Sequence, residues 1–419
     1  MASTKRPKSS ESAAAASGNE TPSSSSSSSS PSPTLSVDLL MEILVCLPVR
    51  SLIRFKSVSK QWLALISDPH FCSRRTSQTP PFHSPASGLV LLRPGIPSSS
   101  PTKNYECVNL CKLSCPSFRN LSSTLDSSCT YEILQPCNGL FLLVSFINTY
   151  SRSNYCVYNP TTKACTVLPL PPPVPSGTKL FLADYNLALD PAKSPHYRVV
   201  CFRRSNREDS FNHPEIQIYE SETASWRLSD CGFSPGTFVS NRILFLGRIF
   251  WNGSIHWLHQ SGVLYFNVDE AYVRKTPLPE GSANWMDMEL GYFGVSGDHL
   301  HLVGVCIHSW PKFNVYEMKR DYSGWFVKFR VDLAELLIQF PEIQWNDFPN
   351  YACSCSIICV VRGELDDDSY LVLHIPGKIV RYYLKTKTWE VLISSFFPFS
   401  RGIVRWSNAH QFIESLACV

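Results

Sequence analysis

A loosely repeated phrase runs through most of the chain and limits its possible folds more than any other feature. Each copy is an apolar, aromatic-rich strand, a polar turn and a second strand, and copies recur about every 50 to 65 residues. Copies begin near Tyr105, Tyr155, Ile216, Leu264, Phe313 and Arg381. A repeat of this length built from strands predicts the blades of a β-propeller, because one blade leaves an apolar face open and must stack on its neighbours.

Two turns inside this region carry strong local signals for β-hairpins. Asn252-Gly253 and Pro376-Gly377 each separate two short runs of apolar and aromatic residues, which is the pattern of a tight two-residue turn between strands. Only the stretch Val331 to Phe340 has the pattern of an amphipathic helix. We therefore expect the residues from 82 to the C-terminus to supply about six or seven blades of β-structure.

The first 34 residues have the composition of a disordered tail. They contain an unbroken serine run, Ser23 to Ser30, and too few apolar residues to offset the entropy lost on folding. Lys5, Arg6 and Lys8 could form part of a nuclear-import signal, although charges in such a tail are commonly only solvated.

From Leu35 the sequence changes to the pattern of three short helices. The first carries an apolar stripe formed by Leu39, Leu40, Ile43, Leu44 and Leu47. Ser36 and Ser59 are suitable N-caps for the first and third helices, Pro48 separates the first two, and the third should end near Asp68 and Pro69. A module of roughly 35 residues rarely folds alone, so we expect its surplus leucines to be covered by a partner.

The segment from Leu35 to Phe71 resembles the F-box of plant F-box proteins. The matching elements are D-L-L-x-E-I-L at 38–44, L-P-V-R-S-L at 47–52, R-F-K-x-V-S-K at 54–60, and Trp62. Ser36 stands where such sequences usually have proline, and serine can also start a helix. With CNGLFLLV at 137–144 and WNGSIHWL at 251–258, the following region resembles the F-box-associated interaction domain. It is also similar to kelch propellers, but it lacks their double-glycine hairpins.

The resulting interpretation is a mainly β fold with a small all-α module at its N-terminus. Its parts are a disordered Ser-rich tail at 1–34, a three-helix F-box at 35–71, a linker at 72–84, and a kelch-like β-propeller of about six or seven blades at 85–419.

The resemblance implies a role as the substrate-recognition subunit of a Skp–cullin–F-box (SCF) ubiquitin ligase. The F-box would bind a Skp-type adaptor and, through it, cullin and RING subunits, while the β-domain would bind an unknown target protein. Adaptor contact is implied for Leu35, Leu39, Leu40, Ile43, Leu47, Pro48, Leu52, Val58 and Trp62. Each of these side chains could instead belong to the core of the module, and the sequence leaves both readings open.

Target binding is expected on the loops of the propeller, because packing fixes the strands. Trp285, Trp310 and Trp345 stand beside polar or proline residues and are candidates, since tryptophan is enriched in binding hot spots. Tryptophan is also a common core residue in β-blades, so a structural role stays open. Two other functions remain open: a non-ligase F-box scaffold, and a carbohydrate-binding β-propeller whose loop aromatics face sugars.

Charge and hydropathy argue against several other partners. The formal net charge is only +4 from 38 basic and 34 acidic residues, which does not favour nucleic acid. No apolar stretch approaches the roughly 20 residues of a membrane helix, and the N-terminus lacks an apolar signal segment. We therefore expect the protein in the cytoplasm, the nucleus or both, without a membrane or nucleic-acid partner.

Motifs of catalysis or metal binding are missing from the sequence. The 16 cysteines include two clusters, Cys107 with Cys111 and Cys115, and Cys353 with Cys355 and Cys359, and neither has the paired spacing of a zinc site. The second cluster is expected to line one strand face as structural thiols. Asp366 to Asp368 are expected at a hairpin tip rather than in a calcium site. We expect no enzyme activity of the chain itself and no cofactor.

Overall fold

The computed structural model describes a helical module followed by a ring of β-sheets. The described residues are 36–78, 86–93, 104–110, 125, 129–148, 151–173, 180–205, 215–231, 246–259, 262–279, 288–306, 308–343, 345–346, 352–394 and 405–419. The expected tail at 1–34 and Leu35 lie outside them. Among the helices in these ranges, none has the length and apolar character needed to cross a bilayer.

Four short helices form the N-terminal module: α1 (Val37–Val45), α2 (Val49–Phe55), α3 (Lys60–Ser67) and α4 (Pro69–Gln78). Both predicted N-caps are confirmed. The Ser36 hydroxyl accepts a hydrogen bond from the Leu39 N–H at 3.3 Å, and the Ser59 hydroxyl accepts one from the Trp62 N–H at 3.1 Å. Each cap satisfies an N–H that the first turn of a helix leaves without a backbone partner.

The fourth helix lies where a linker at 72–84 was predicted, so the first seven residues of that linker are helical. The Asp68 carboxylate caps α4 by accepting hydrogen bonds from the N–H groups of His70 at 2.7 Å and Phe71 at 3.2 Å. Pro69 was interpreted as the end of a helix. It occupies the first position of the next one, where a missing N–H costs nothing. The buried Phe71 then ties α4 to the other helices.

Six antiparallel sheets of three or four strands follow in the described part of the chain, and they are the blades of a propeller. The first blade contains β1 (Gly88–Arg93), β2 (Asn104–Asn109) and β25 (Ala409–Phe412). The second contains β3 (Thr130–Cys137), β4 (Leu140–Asn148), β5 (Ser151–Asn159) and β6 (Ala164–Val167). The third contains β7 (Leu180–Ala188), β8 (Arg198–Ser205), β9 (Glu215–Glu220) and β10 (Ser225–Leu228).

The other three blades repeat the four-stranded pattern. The fourth contains β11 (Leu246–Trp251), β12 (Ser254–His259), β13 (Gly262–Asn267) and β14 (Tyr272–Thr276). The fifth contains β15 (Met288–Ser296), β16 (His299–Cys306), β17 (Lys312–Met318) and β18 (Trp325–Asp332). The sixth contains β21 (Ser356–Val361), β22 (Tyr370–Ile375), β23 (Lys378–Tyr383) and β24 (Trp389–Ile393). Between the last two lie α5 (Ala334–Gln339) and a small sheet of β19 (Trp345–Asn346) and β20 (Ala352–Cys353).

The ring is closed by the C-terminal strand. β25 pairs with β1 from Gly88 opposite Phe412 to Leu91 opposite Ala409, so both ends of the domain share one blade. The innermost strands β3, β7, β11, β15, β21 and β25 lie side by side around the ring. The expected range of six or seven blades is therefore settled at six, and every blade has a neighbour against which to bury its apolar faces.

The tryptophans of the repeated phrase join neighbouring blades. The indole N–H of Trp226 in the third blade donates to the carbonyl of Pro169, which follows the last strand of the second blade, at 2.9 Å. Trp325 in the fifth blade makes the same bond to Pro277, after the last strand of the fourth blade, at 3.0 Å. The repeat thus extends to the contacts between blades as well as the strands within them.

The predicted hairpins and helix are confirmed. Asn252-Gly253 joins β11 to β12 with positive φ at both residues (50° and 73°), as a two-residue turn of the favoured hand requires. Pro376-Gly377 joins β22 to β23. Helix α5 lies inside the predicted range Val331 to Phe340.

The second cysteine cluster lies partly in the core but not on one strand, so the prediction of a single strand face was wrong. Cys353 belongs to β20, Cys359 to β21, and Cys355 lies between the two strands. Cys355 and Cys359 are buried in the apolar core, which agrees with structural thiols. Of the first cluster, Cys107 lies on β2, whereas Cys111 and Cys115 are outside the described residues. No group of side chains suited to a metal ion occurs in the described ranges.

Candidate functional site

The helical module divides its apolar side chains between a core and an exposed surface. Leu40 and Leu52, two of the residues implied in adaptor binding, are buried together with Leu44, Ile66 and Phe71. Burial within the module leaves these two leucines little area to offer to a partner, so their main role is to hold the helices together.

Three other implied residues face solvent. Leu39 and Ile43 lie one turn apart on the outer face of α1 and are 51% and 46% exposed, and Val58, between α2 and α3, is 59% exposed. We call Leu39, Ile43 and Val58 the exposed F-box residues. Large aliphatic side chains left open in this way are typical of a surface that another protein covers.

The remaining implied residues are one exposed proline and two half-buried side chains. Pro48 is exposed and Leu47 is half-buried. Trp62 is half-buried because its ring packs edge-on against Phe55, with 5.3 Å between the ring centroids. The sequence interpretation missed Val37 and Leu63, which are also exposed aliphatic residues of this module. The predicted stripe gave no signal for them, because it mixed the exposed Leu39 and Ile43 with the buried Leu40 and Leu44 and did not extend to Val37 or to the third helix.

A C-terminal segment fixes the module against the propeller. We call residues Ile413 to Val419, which follow β25, the C-terminal strut. Leu416 is buried in the core of the helical module and Cys418 packs against that core. Ala417 and Val419 pack instead against the core between the second and third blades. The strut therefore presents alternate side chains to the two domains, as an extended segment between two surfaces does.

Polar contacts hold the strut in place on the propeller side. The Asn159 side-chain amide donates to the carbonyls of Ser415 at 3.1 Å and Ala417 at 2.8 Å. The Ser415 N–H donates to the Thr161 hydroxyl at 3.2 Å. On the helical side, Glu414 forms an ion pair with Arg50. Contacts on both sides make the strut the bridge between the two domains.

Replacing Leu416 with alanine is expected to loosen this bridge. A buried leucine truncated to alanine costs about 2–4 kcal/mol of unfolding free energy, and here the loss falls on the helical module. Urea unfolding measures the loss, and hydrogen exchange of residues 36–78 locates it. Leu170→Ala, at a side chain 76% exposed on the propeller, is the control and should cost less than about 0.5 kcal/mol. Equal exchange rates in both variants would contradict the bridging role.

The two faces of the ring have different surroundings. The innermost strands end on one face of the ring, and hydrogen bonds between neighbouring blades show this. The Asn138 amide, after β3, donates to the Leu189 carbonyl, after β7, at 2.7 Å. The Arg362 N–H, after β21, donates to the hydroxyl of Ser296, at the end of β15, at 3.0 Å. We call this the proximal face, because the strut and the helical module lie there. The opposite face, called distal, carries the connections from one blade to the next and the connections between the second and third strands within a blade.

The predicted target-binding tryptophans belong to distal connections. Trp310 lies between β16 and β17, is half-buried and packs against the core of the fifth and sixth blades. Trp345 begins β19 on the connection from the fifth to the sixth blade, which also places it at the distal face. Trp285 falls outside the described residues. The structure thus assigns two of the three candidates to the same face, and Trp310 also has a structural role.

Two exposed aliphatic residues of the distal connections were not predicted. Ile338 on α5 is 82% exposed, and Leu170, after β6, is 76% exposed. The sequence carried a signal for the first of them, since Leu336, Leu337 and Ile338 are consecutive and cannot all face one side of a helix. Leu336 takes the buried position and leaves Ile338 outside.

A cavity of about 170 Å³ lies in the channel enclosed by the innermost strands. Arg248 on its wall forms an ion pair with buried Asp184 at 2.7 Å. Gln411 donates from its amide to the Tyr292 hydroxyl at 3.2 Å, and His410 also lines the space. Because Asp184 neutralises the charge of Arg248, the channel would interact with a molecule inside it mainly through hydrogen bonds.

Buried His410 is expected to make stability depend on pH. Burial lowers the pKa of His410 to about 3, below the value near 6.5 of an unfolded chain. As pH falls, His410 is therefore protonated in the unfolded state before it is protonated in the folded state. Its contribution to the free energy of unfolding is fully present above about pH 6.5 and is lost as pH falls below that value. Between pH 7 and 5 this one residue should remove about 2 kcal/mol. In urea unfolding, His410→Gln should make the stability lost over this range smaller by about that amount, while buried His256 and His374, whose pKa values burial also lowers, keep the rest of the slope. An unchanged slope would show that this histidine is not the source.

Acidic residues at the tip of the sixth blade behave as predicted for a hairpin. Asp366 to Asp368 form one turn of 3-10 helix between β21 and β22. Asp366 pairs with Lys328 at 2.9 Å and Asp367 pairs with Lys385. Lysine partners on both carboxylates are typical of a solvated turn.

Comparison with known families assigns both parts of the chain. The F-box domain model matches residues 33–74, and the model of the F-box associated beta propeller domain matches residues 96–293. F-box protein At5g07610 of Arabidopsis thaliana is 33% identical over 410 residues, covering 91% of this chain and 92% of the relative. F-box protein At5g49610 of the same plant is 26% identical over 407 residues, covering 90% and 96%.

A kelch-type relative also matches, over a shorter range. F-box/kelch-repeat protein At5g43190 of Arabidopsis thaliana is 26% identical over 231 residues, which is 55% of this chain and 50% of the relative. The exposed helices on the proximal face and the six-bladed ring thus belong to a known combination of domains. The chain belongs to the family of plant F-box proteins that carry an F-box-associated β-propeller domain. In general, this combination implies a substrate receptor of the SCF type, and F-box proteins are typically non-catalytic adaptors.

Proposed function

We propose that this chain is the substrate-recognition subunit of an SCF ubiquitin ligase, with its F-box on a Skp-type adaptor and its propeller on a target protein. The observation that supports it most is the set of exposed F-box residues, Leu39, Ile43 and Val58, which the core of the module leaves uncovered. In an F-box, such side chains are the ones available to an adaptor.

The mechanism is tethering without bond chemistry in this chain. Cullin and RING subunits join through the adaptor and bring the ubiquitin-loaded enzyme to the captured protein. Holding both partners in one complex raises their effective concentration, to the mM range for a short linkage. The strut contributes by limiting how far the propeller swings relative to the F-box, which keeps a target lysine within reach of the thioester.

Target binding is proposed for the distal face. Trp310 and Trp345 lie on its connections, and exposed Ile338 and Leu170 add apolar area there. With the helical module on the proximal face, the distal face stays open while the adaptor is bound. We propose that the complex works in the cytoplasm or the nucleus, with no cofactor, nucleic acid or membrane taking part.

A target-trapping experiment tests whether the F-box binds the adaptor and the distal face binds the target. The chain would be expressed in plant cells during proteasome inhibition, and bound proteins would be compared between the unmodified chain and two variants. Ala at Leu39, Ile43 and Val58 should lose the adaptor and keep the other bound proteins, whereas Ile338→Asp should keep the adaptor and reduce specific bound proteins. Loss of the adaptor from the Ile338 variant, or of the other proteins from the F-box variant, would contradict the assignment.

A non-ligase scaffold is the alternative that the same experiment separates. In a ligase, the proteins retained by the unmodified chain should accumulate when the proteasome is inhibited and carry ubiquitin. If their amount and modification do not change, the F-box pairs with the adaptor only to sequester it.

A further inference from the structure

Two cysteines meet where the strut contacts the helical module. Cys72 lies on α4 and is buried in the core of the module, and Cys418 lies on the strut and is half-buried. The Cys418 side chain packs against the same core, and each of the two thiols shifts the pKa of the other through a side-chain hydrogen bond. The Cys72 thiol also contacts the Ile66 carbonyl at 3.7 Å, which fixes its position. The pair therefore spans the junction between the F-box and the last residues of the propeller domain.

Neighbouring contacts fix the backbone beside each of the two cysteines. Cys418 follows Ala417, whose carbonyl accepts a hydrogen bond from Asn159 at 2.8 Å, and Leu416 is buried beside the same helices. The N–H of Cys72 donates to the Asp68 carbonyl at 3.0 Å. Because both backbones are anchored, the sulfur atoms stay adjacent, and adjacency is the first geometric requirement of a disulfide.

The two thiols differ in reactivity. The hydrogen bond from Cys72 lowers the pKa of the Cys418 thiol to about 7, and nearby Lys56 acts in the same direction, although burial opposes both. The hydrogen bond and burial raise the pKa of Cys72 far above its ordinary value. A half-exposed thiol with a lowered pKa is the one that reacts first with an oxidant, and a buried neighbour is placed to resolve the product.

We propose that Cys72 and Cys418 are an oxidation site at which hydrogen peroxide forms a disulfide that locks the C-terminal strut to the F-box. The Cys418 sulfur attacks one peroxide oxygen, the O–O bond breaks, and a sulfenic acid and one water result. The Cys72 sulfur then attacks the sulfenic sulfur, the S–S bond forms, the S–O bond breaks, and a second water leaves with the Cys72 proton. Two thiols are oxidised and one hydrogen peroxide molecule is reduced.

The disulfide would fix the position of the propeller relative to the F-box until it is reduced. In the reduced protein the junction depends on Leu416, the polar contacts of Asn159 and the ion pair of Arg50 with Glu414. In the oxidised protein the strut cannot leave the module without reduction. Formation of the disulfide needs neither an adaptor nor a target. A failed test of the ligase role would therefore leave this proposal unaffected, and a failed test of the disulfide would leave the ligase role unaffected.

Peptide mapping of the full-length chain tests the site. Trypsin places Cys72 in a peptide of residues 61–74 and Cys418 in a peptide of residues 406–419, and each peptide contains one cysteine. The reduced chain is exposed to hydrogen peroxide, free thiols are alkylated with iodoacetamide, and the digest is analysed by mass spectrometry without reductant. We expect the two peptides joined by a disulfide, and a higher melting temperature that dithiothreitol reverses.

Two variants complete the test. Cys418→Ser should lose both the joined peptides and the rise in melting temperature. Cys165→Ser, which removes a thiol from another hydrogen-bonded pair on β5 and β6, is the matched control and should keep both. Recovery of the 61–74 and 406–419 peptides separately, each alkylated after peroxide treatment, would overturn the proposal.

Discussion

A chain carrying Leu39→Ala, Ile43→Ala and Val58→Ala is expected to bind a Skp-type adaptor about 150- to 2,000-fold more weakly than the unmodified chain. Each side chain is roughly half exposed in the free protein and would bury the rest of its apolar area against the adaptor. Truncation to alanine should therefore cost about 1–1.5 kcal/mol at each position, and the three costs add to about 3–4.5 kcal/mol.

The choice of exposed positions makes this result interpretable. Replacing Leu40 or Leu52 would also weaken binding, but through damage to the core of the module. Isothermal titration or surface binding with purified adaptor measures the change, and circular dichroism checks that the helices remain. Ile147→Ala, Leu170→Ala and Ile338→Ala form the matched control, since these propeller side chains are exposed and of similar size. An equal loss in this control, or none in the F-box variant, would show that the exposed F-box residues do not form the adaptor surface.

Replacing Phe412 with alanine is expected to destabilise the propeller by about 3–5 kcal/mol. This ring is fully buried on the strand that closes the propeller, packs with Val90 and Tyr105, and lies edge-on to Phe141 with 6.5 Å between the centroids. The loss acts on the contact that joins the last strand to the first blade. Because each blade depends on two neighbours, an opened ring should unfold at lower denaturant as one cooperative unit.

Urea unfolding followed by tryptophan fluorescence measures this effect. Phe326→Ala on the outer strand β18 is the matched control, because its ring is 37% exposed and its removal should cost only about 1–2 kcal/mol. A cost for Phe412→Ala as small as that of the control would mean that the closing strand contributes little to the ring.

Local features of this fold were predictable from the sequence. The serine caps, the Asn252-Gly253 turn and the α5 helix each rest on residues close together in the chain, and all are found where the local chemistry places them. The tryptophans of the repeat were visible as a pattern, although their bonds to the preceding blade required the neighbouring blade to be positioned.

Long-range features were not predictable in the same way. The blade count depended on β25, a strand of four residues that joins a partner more than 300 positions earlier, and short strands carry little periodic signal. Helix α4 was missed because Pro69 is compatible with both a helix end and a helix start.

The sequence also could not predict which single residues of the candidate site are exposed. Leu39 and Leu40 are adjacent and equally apolar, yet one faces solvent and the other the core. The sequence could not separate them, because part of that core is Leu416, contributed by the far end of the chain. Assigning the adaptor surface therefore required the packing of the helices and the strut.

The most direct test of the ligase assignment is ubiquitin transfer in a reconstituted complex. The intact chain would be assembled with Skp adaptor, cullin, RING subunit, activating and conjugating enzymes, and ubiquitin, in parallel with the Leu39, Ile43 and Val58 alanine variant. The account predicts that the intact chain enters the complex and that ubiquitin conjugates form on the chain or its captured proteins, with both signals lost in the variant. Failure of the intact chain to enter the complex, or equal conjugation with both chains, would contradict it.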